Sequence, residues 1–145
     1  MVDDSLMKTA KPEGGGDAPQ VIGIKKIYER WSISDGLRIL VDRLWPRGVR
    51  HSTANIDVWM KDIAPTKELR KWYSHDPEKW KEFKARYREE LKENGSVIKL
   101  LKIIDRTGKV TLVYASKDDD HNNAVVLKEY VEKILEKGKE QGRKI

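Results

Sequence analysis

The sequence predicts a small α/β domain of three layers, built on a mainly parallel sheet. Segments rich in β-branched residues alternate along the chain with amphipathic segments of helical period, and this alternation is typical of parallel strands joined by helical crossovers. Residues 110–116 form a continuous β-branched and aromatic run, as expected of a central strand buried on both faces. The 145 residues match the length of one domain.

Four segments are predicted to be extended. Residues 21–28 are short and rich in Val and Ile, residues 57–63 fit a short strand or extended segment, and residues 110–116 give the clearest strand. Residues 37–44 alternate with the two-residue period of a strand, which divides their side chains between two faces. The two sets are Leu37, Ile39, Val41 and Arg43 on one face, and Leu40, Asp42 and Leu44 on the other.

Two helices are predicted to follow the extended segment at residues 57–63. Thr66 is the expected N-cap of a helical turn through Tyr73. Asp76 and Pro77 fit an N-cap and a first helical position, so they open a helix that runs to about residues 94–95. Its apolar residues have helical spacing and are expected to face the core. They are Trp80, Phe83, Tyr87 and Leu91.

Two further helices complete the predicted domain. Ser96 is expected to cap a largely apolar helix that runs to about residue 105, and Gly108 is expected to end it. The last helix is predicted over about residues 121–137. The domain boundaries follow: a disordered, Gly- and Pro-rich arm over residues 1–19, a single α/β domain over residues 20–137, and a frayed tail over residues 138–145.

The composition excludes several classes of protein. The chain has no cysteine, which excludes disulfides, a thiol nucleophile, Cys-ligated zinc and iron–sulfur clusters. No apolar run approaches the length of about 18 residues that a membrane span needs. The first residues lack the basic and apolar regions of a secretory signal, so we expect a cytoplasmic protein without membrane contact.

The net charge of +6 and the isoelectric point near 9.4 raise the question of a nucleic-acid partner. Residues 1–19 are acidic, with two Lys and four acids, and the basic excess is spread over the rest of the chain. No block of five or six like charges marks a nucleic-acid tail. High charge without cysteine also suits a thermophilic protein, whose surface carries many ion pairs.

Polar residues collect where the predicted strands end. Open α/β sheets bind ligands beyond the carboxyl ends of their strands, and arginine is suited to bidentate contact with phosphate or carboxylate. We therefore predict an anion-binding set and an acid–base set at this edge. The ligand-binding candidates are Asp42, Arg43, Arg47 and Lys117, and the catalytic candidates are His75, Asp118 and His121.

Structural roles remain open for most of these candidates. Asp118 and the two acids after it precede a helix, where carboxylates commonly cap backbone N–H groups. Asp42 and Arg43 could form one ion pair, and His75 could be a capping or packing residue. Four tryptophans are expected to be core or sheet-covering anchors rather than platforms for bases: Trp45, Trp59, Trp72 and Trp80. No metal site and no cofactor are predicted.

The motifs at these positions resemble those of the DUF488 family of uncharacterised bacterial and archaeal proteins, in its short YeaO-like branch. The resemblance runs from about Ile22 to Leu135. Its most specific stretches are Val41-Asp-Arg-Leu-Trp-Pro-Arg-Gly48 and Trp59-Met-Lys-Asp-Ile-Ala-Pro65. It implies an α/β domain of unassigned activity and brings no established catalytic residue. Longer relatives place cysteines near Tyr114 and His121, so the resemblance implies that any thiol chemistry of theirs is absent here.

Two functions remain in competition at this point. The first is a small enzyme or ligand-binding domain that acts on an anionic ligand, phosphate-like or nucleotide-like, at the carboxyl edge of the sheet. The alternative is a nucleic-acid-associated protein that uses its basic surface, although the basic residues are interspersed with acids. An interaction module without a pocket is a third reading. The oligomeric state is left open.

Overall fold

Four parallel strands form the central sheet of the protein. The computed structural model describes residues 21–144. Its strands are β1 (Val21–Lys26), β2 (Leu37–Leu40), β3 (Val58–Trp59) and β4 (Lys109–Tyr114). Their order in the sheet is β1-β4-β2-β3, and every neighbouring pair is parallel. The structure thus confirms the predicted small α/β class with a parallel sheet.

The register explains why β4 is the most apolar strand. Leu112 of β4 lies between Ile24 of β1 and Ile39 of β2, so β4 has a strand on each side. Both of its faces are also covered, and Val110, Leu112 and Val113 are fully buried. A continuous apolar run is the pattern that such an interior strand requires.

The helices are α1 (Lys67–Tyr73), α2 (Trp80–Lys92), α3 (Ser96–Thr107) and α4 (Asn123–Lys144). The predicted cap of α1 is confirmed, because the Thr66 hydroxyl accepts a hydrogen bond from the Leu69 amide at 3.2 Å. Asp76 also caps as predicted, accepting from the Glu78 amide at 3.0 Å, and a 3₁₀ turn precedes α2. Among the described residues, no helix is both long and apolar enough to cross a bilayer.

The three layers are the helices, the sheet, and an irregular segment in place of a second helical layer. The larger core lies between the sheet and the four helices, and it includes the stripe of α2. The smaller core contains Leu40 and Val113, and it is covered by side chains from residues 45–59. Ile39 and Val41 lie in the larger core and Leu40 in the smaller one, so the predicted alternation of β2 is confirmed.

Two strands are shorter than predicted. β2 ends at Leu40 rather than residue 44, because the Ala115 amide donates to the Asp42 side chain instead of to the Val41 carbonyl, which accepts from the Asn123 side chain. β3 has only two residues, and residues 61–63 form a 3₁₀ turn instead of continuing the strand. β3 pairs with β2, so it loses its ladder where β2 ends.

The helix ends also differ from the predictions. Ser96 is the first residue of α3 rather than its cap, and its amide donates to the Asn94 side chain at 2.9 Å. Gly108 ends α3 with a φ of 78°, as predicted. α4 continues to Lys144, beyond the helix end predicted near residue 137. Gly138 lies among good helix formers, and one glycine costs only about 1 kcal/mol. The arm predicted over residues 1–19 lies outside the described residues.

A buried ion cluster joins β1 to the start of β2. Arg38 of β2 is only 1% exposed, and its guanidinium donates to Asp35 at 2.7 Å and to the backbone carbonyls of Ala54 and Asn55. Lys25 of β1 donates to the same carboxylate at 3.0 Å. Burial raises the pKa of Asp35, but the hydrogen bonds from these partners outweigh it and leave the pKa lowered. None of these contacts is predicted by a pattern in the sequence.

Leu100 tests the larger core. Leu100→Ala removes a fully buried side chain of α3, and we expect a loss of about 2–5 kcal/mol in the free energy of unfolding from lost burial and the residual cavity. Ile98 of the same helix is 59% exposed, so Ile98→Ala should change it by no more than about 0.5 kcal/mol. Urea denaturation of both variants measures the two values, and similar losses would contradict the assigned core.

Candidate functional site

A cavity of about 390 Å³ opens at the carboxyl edge of the sheet. Its walls come from the segment after β2, the segment before α1, α1 with the turn that follows it, and the segment after β4. Five of the seven candidate residues line it: Asp42, Arg43, Arg47, His75 and His121. Lys117 and Asp118 do not line it.

Asp42 joins the strand ends at the floor of this cavity. One carboxylate oxygen accepts from the Ala115 amide after β4 at 2.9 Å, and the other accepts from the Asn123 side-chain amide of α4 at 3.2 Å. Its backbone carbonyl accepts from the indole N–H of Trp59 in β3 at 2.8 Å. Asp42 thus connects the end of β2 to β3, β4 and α4.

Burial raises the pKa of Asp42 above its ordinary value. Four interactions act in the opposite direction: the hydrogen bonds from Ala115 and Asn123, and the positive charges of Arg70 and His75. Desolvation is the larger effect, so the carboxylate carries an energetic cost in the folded protein. A carboxyl group with this property in a cleft is a common feature of functional sites.

Arg43 does not form the ion pair with Asp42 that was one interpretation of the sequence. Its Nε donates to the Pro65 carbonyl at 3.2 Å, and its Nη2 donates to the Ala64 carbonyl at 3.1 Å. Arg43 therefore holds the turn before α1 against the segment after β2. It still lines the cavity, with part of its guanidinium occupied by backbone carbonyls.

Two other arginines that line the cavity have no such partners. Arg47 is exposed in the turn after Pro46, and Arg70 is half-buried on α1. Within residues 21–144, neither guanidinium makes a hydrogen bond or an ion pair. Arg70 was not among the candidates from the sequence. Its position on the first helix after β3, at the carboxyl edge, was the signal that could have identified it.

The two histidine candidates have different surroundings. His75 is exposed, and it follows Ser74 in a pair of residues with positive φ, 46° and 56°. Such backbone is uncommon outside glycine, and here it reverses the chain between α1 and the cap at Asp76. His121 is half-buried, and its ring contacts the Trp80 ring edge-on at 5.1 Å.

Asp118 orients His121 and also caps the turn before α4. The His121 Nδ1 lies 3.0 and 3.1 Å from the two carboxylate oxygens of Asp118. The same carboxylate accepts from the backbone amides of Asp120 and His121. Desolvation raises the Asp118 pKa, but these hydrogen bonds outweigh it and leave the pKa lowered. The capping and functional interpretations of Asp118 are therefore compatible.

Lys117 and Asp119 of this segment both contact Lys26 of β1. The Asp119 carboxylate accepts from the Tyr114 hydroxyl and from Lys26, each at 3.0 Å. The Lys117 side chain is exposed outside the cavity, and its backbone carbonyl accepts from Lys26 at 3.4 Å. In residues 21–144, no group of three or more His, Asp or Glu side chains is arranged to hold a metal ion.

Aromatic residues form the apolar part of the cavity wall. The Tyr73 and Phe83 rings stack at 4.3 Å between centroids. Trp45, in the segment after β2, also lines the cavity. The Trp45 indole N–H donates to the Val49 carbonyl at 2.7 Å, and its ring stacks on His51 at 3.7 Å. The cavity thus combines cationic, carboxylate and aromatic groups.

Asp42→Asn tests the energetic cost of the carboxylate. The amide cannot accept both hydrogen bonds, so we expect a lower melting temperature for the variant at every pH. The folded protein binds the Asp42 proton more tightly than the unfolded chain. The wild type therefore loses stability as the pH rises through the unfolded pKa, and the loss is complete above the folded pKa. The difference in melting temperature between the wild type and the variant should therefore become smaller as the pH rises from about 3 to about 7. A deficit that widens over this range, measured by calorimetry, would contradict the raised pKa.

Comparison with known proteins identifies the family of this chain. A family model, DUF488-N3i, described as "Inactive DUF488-N3 subclade", matches residues 21–144. Uncharacterized protein Rv3073c of Mycobacterium tuberculosis (strain ATCC 25618 / H37Rv) is 42% identical over 106 residues, which cover 73% of this chain and 89% of that protein. Uncharacterized protein YeaO of Escherichia coli (strain K12) is 36% identical over 113 residues, covering 78% of this chain and 98% of that protein. No solved structure matches. The family model over residues 21–144 and the identity to these relatives show that the chain belongs to the DUF488 family.

Proposed function

We propose that this protein is a ligand-binding domain whose cavity at the carboxyl edge of the sheet binds a small anionic molecule. The observation that carries the proposal is the pair Arg47 and Arg70. Both residues line the same cavity, and neither guanidinium group has a hydrogen-bond or ion-pair partner within residues 21–144. A ligand carboxylate or phosphate would supply the charge-assisted, bidentate hydrogen bonds that guanidinium groups favour.

The other cavity residues have supporting roles in this proposal. Arg43 holds the turn that positions α1, and hence Arg70, through the carbonyls of Ala64 and Pro65. His121 is oriented by Asp118 and offers the ligand an imidazole. His75 adds a second imidazole to the cavity wall. The volume of about 390 Å³ is within the range for small-molecule sites.

Binding without turnover is favoured over catalysis. The family model that matches this chain is described as an inactive subclade, and the chain has no cysteine nucleophile. The Asp118–His121 pair has the arrangement of an acid–base pair, so an enzyme would use it for proton transfer. In a binding domain, the same pair fixes the orientation of the imidazole.

Nucleic-acid binding is the less favoured alternative, because many surface cations are paired with acids. Lys84 and Arg88 of α2 both contact Glu129 of α4, at 3.3 and 3.2 Å. Lys92 contacts Glu89 at 2.8 Å, and Arg86 contacts Glu82. Phosphate-backbone binding needs a surface with a clear cationic excess. The unpaired arginines of the cavity are a more specific signal.

Inorganic phosphate is the simplest probe of the proposal. Phosphate at about 100 times its Kd should stabilise the folded protein by about 2.7 kcal/mol, which raises the melting temperature. Arg47→Gln and Arg70→Gln each remove a charged donor, and we expect each to weaken binding about tenfold or more. Isothermal titration calorimetry measures the dissociation constants directly.

Arg106→Gln is the matched control. Arg106 lies in the last turn of α3, directly before β4 begins, and therefore at the opposite edge of the sheet. It loses the same charge as the two cavity variants, so its phosphate affinity should stay close to that of the wild type. If phosphate binding weakened equally in all three variants, the loss would come from the net charge alone and would contradict the proposal. A wild type that does not bind phosphate would contradict it as well.

A further inference from the structure

Asp42 places a carboxyl group in the same cavity as the unpaired arginines. A carboxylate repels a purely anionic ligand, so its position needs a physical explanation. The hydrogen bonds from Ala115 and Asn123 use one acceptor position on each oxygen. A carboxylate offers about four such positions, so about half of its capacity to accept remains for a ligand.

The carboxyl group is held in a fixed orientation. Its two oxygens are bound to different elements, the segment after β4 and the start of α4. The backbone of Asp42 is also held, because its carbonyl accepts from Trp59 at 2.8 Å. A side chain restrained at both ends cannot turn away when a ligand enters, so the ligand must satisfy its free lone pairs or meet its charge.

The charges around Asp42 come from several elements. Arg70 on α1 and His75 in the turn that follows are the groups whose positive charges act on it. The amide of Asn123 on α4 and the backbone amide of Ala115 are its uncharged partners. The cavity therefore combines cationic groups with a fixed acceptor.

On the basis of the proposed anion-binding function, we propose that Asp42 is a specificity-determining residue. It selects anions that carry a hydrogen-bond donor of their own, such as a hydroxyl, an amine or an N–H group. The anionic part contacts Arg47 and Arg70, and the donor contacts the Asp42 carboxylate. Anions without a donor leave the carboxylate unsatisfied and face its charge, and sites with a buried acceptor discriminate strongly against such analogues.

Phosphate and sulfate form a matched pair of probes at about pH 8. Both are mainly tetrahedral dianions at this pH, but hydrogen phosphate keeps one hydroxyl and sulfate has none. Calorimetric titration of the wild type should give at least about tenfold tighter binding of phosphate. In Asp42→Asn the repulsion of sulfate is removed, so sulfate should bind more tightly and the preference should fall below about threefold.

Asp105→Asn is the matched control for the loss of one carboxylate. Asp105 is exposed near the end of α3, close to the edge where the strands begin, so the variant should keep the phosphate preference of the wild type. Circular dichroism checks that each variant folds. A second pair, 2-hydroxypropanoate and propanoate, tests the wild type alone, and the hydroxy acid should bind at least about threefold more tightly.

The outcomes separate the two proposals. If the wild type binds phosphate and sulfate equally, or if folded Asp42→Asn keeps the full preference, the role of Asp42 is overturned while anion binding stands. If Asp42→Asn does not fold, the pair of propanoates decides, and equal binding of the two overturns the role of Asp42. If the wild type does not bind phosphate, the proposed function fails, and the specificity proposal fails with it.

Discussion

The arrangement of the carboxyl edge depends on the contacts of Asp42. This residue follows the short strand β2, and its carboxylate and carbonyl bind groups from β4, α4 and β3. These three contacts close the edge without continuing the sheet ladder. They also bring the segments that carry Arg43, Arg47 and His121 around one cavity. The cost is a carboxyl group kept partly desolvated, and this desolvation raises the pKa of Asp42.

The arginines at the two edges of the sheet differ in whether they have partners. At the edge where the strands begin, Arg38 is buried and bound to Asp35 and two backbone carbonyls. Breaking such a pair leaves a buried charge without a partner, so this cluster contributes to the integrity of the fold. At the carboxyl edge, Arg47 and Arg70 have no such partners within residues 21–144. This contrast, rather than the net charge of the chain, is the observation on which the proposed ligand site rests.

The sequence predicts the class of fold and the edge that carries the cavity better than the details of either. Apolar periodicity identifies β4 and the buried face of α2, because burial alone determines these patterns. The same periodicity makes the predicted β2 too long. The side chain of Asp42 replaces a backbone acceptor at the end of this strand, and no local sequence pattern indicates that replacement. Arg70 and Arg38 are missed for a related reason. Whether an arginine on a helix or strand is paired depends on residues distant in sequence.

The central claim is that the unpaired arginines at the carboxyl edge form an anion-binding site. A crystal structure of the protein grown with phosphate at about pH 8 tests it most directly. The account predicts one phosphate in the cavity, within hydrogen-bond distance of the guanidinium groups of Arg47 and Arg70. It also predicts that the phosphate hydroxyl faces the Asp42 carboxylate. Phosphate bound only elsewhere, for example at the lysines of α2 and α4, would contradict it.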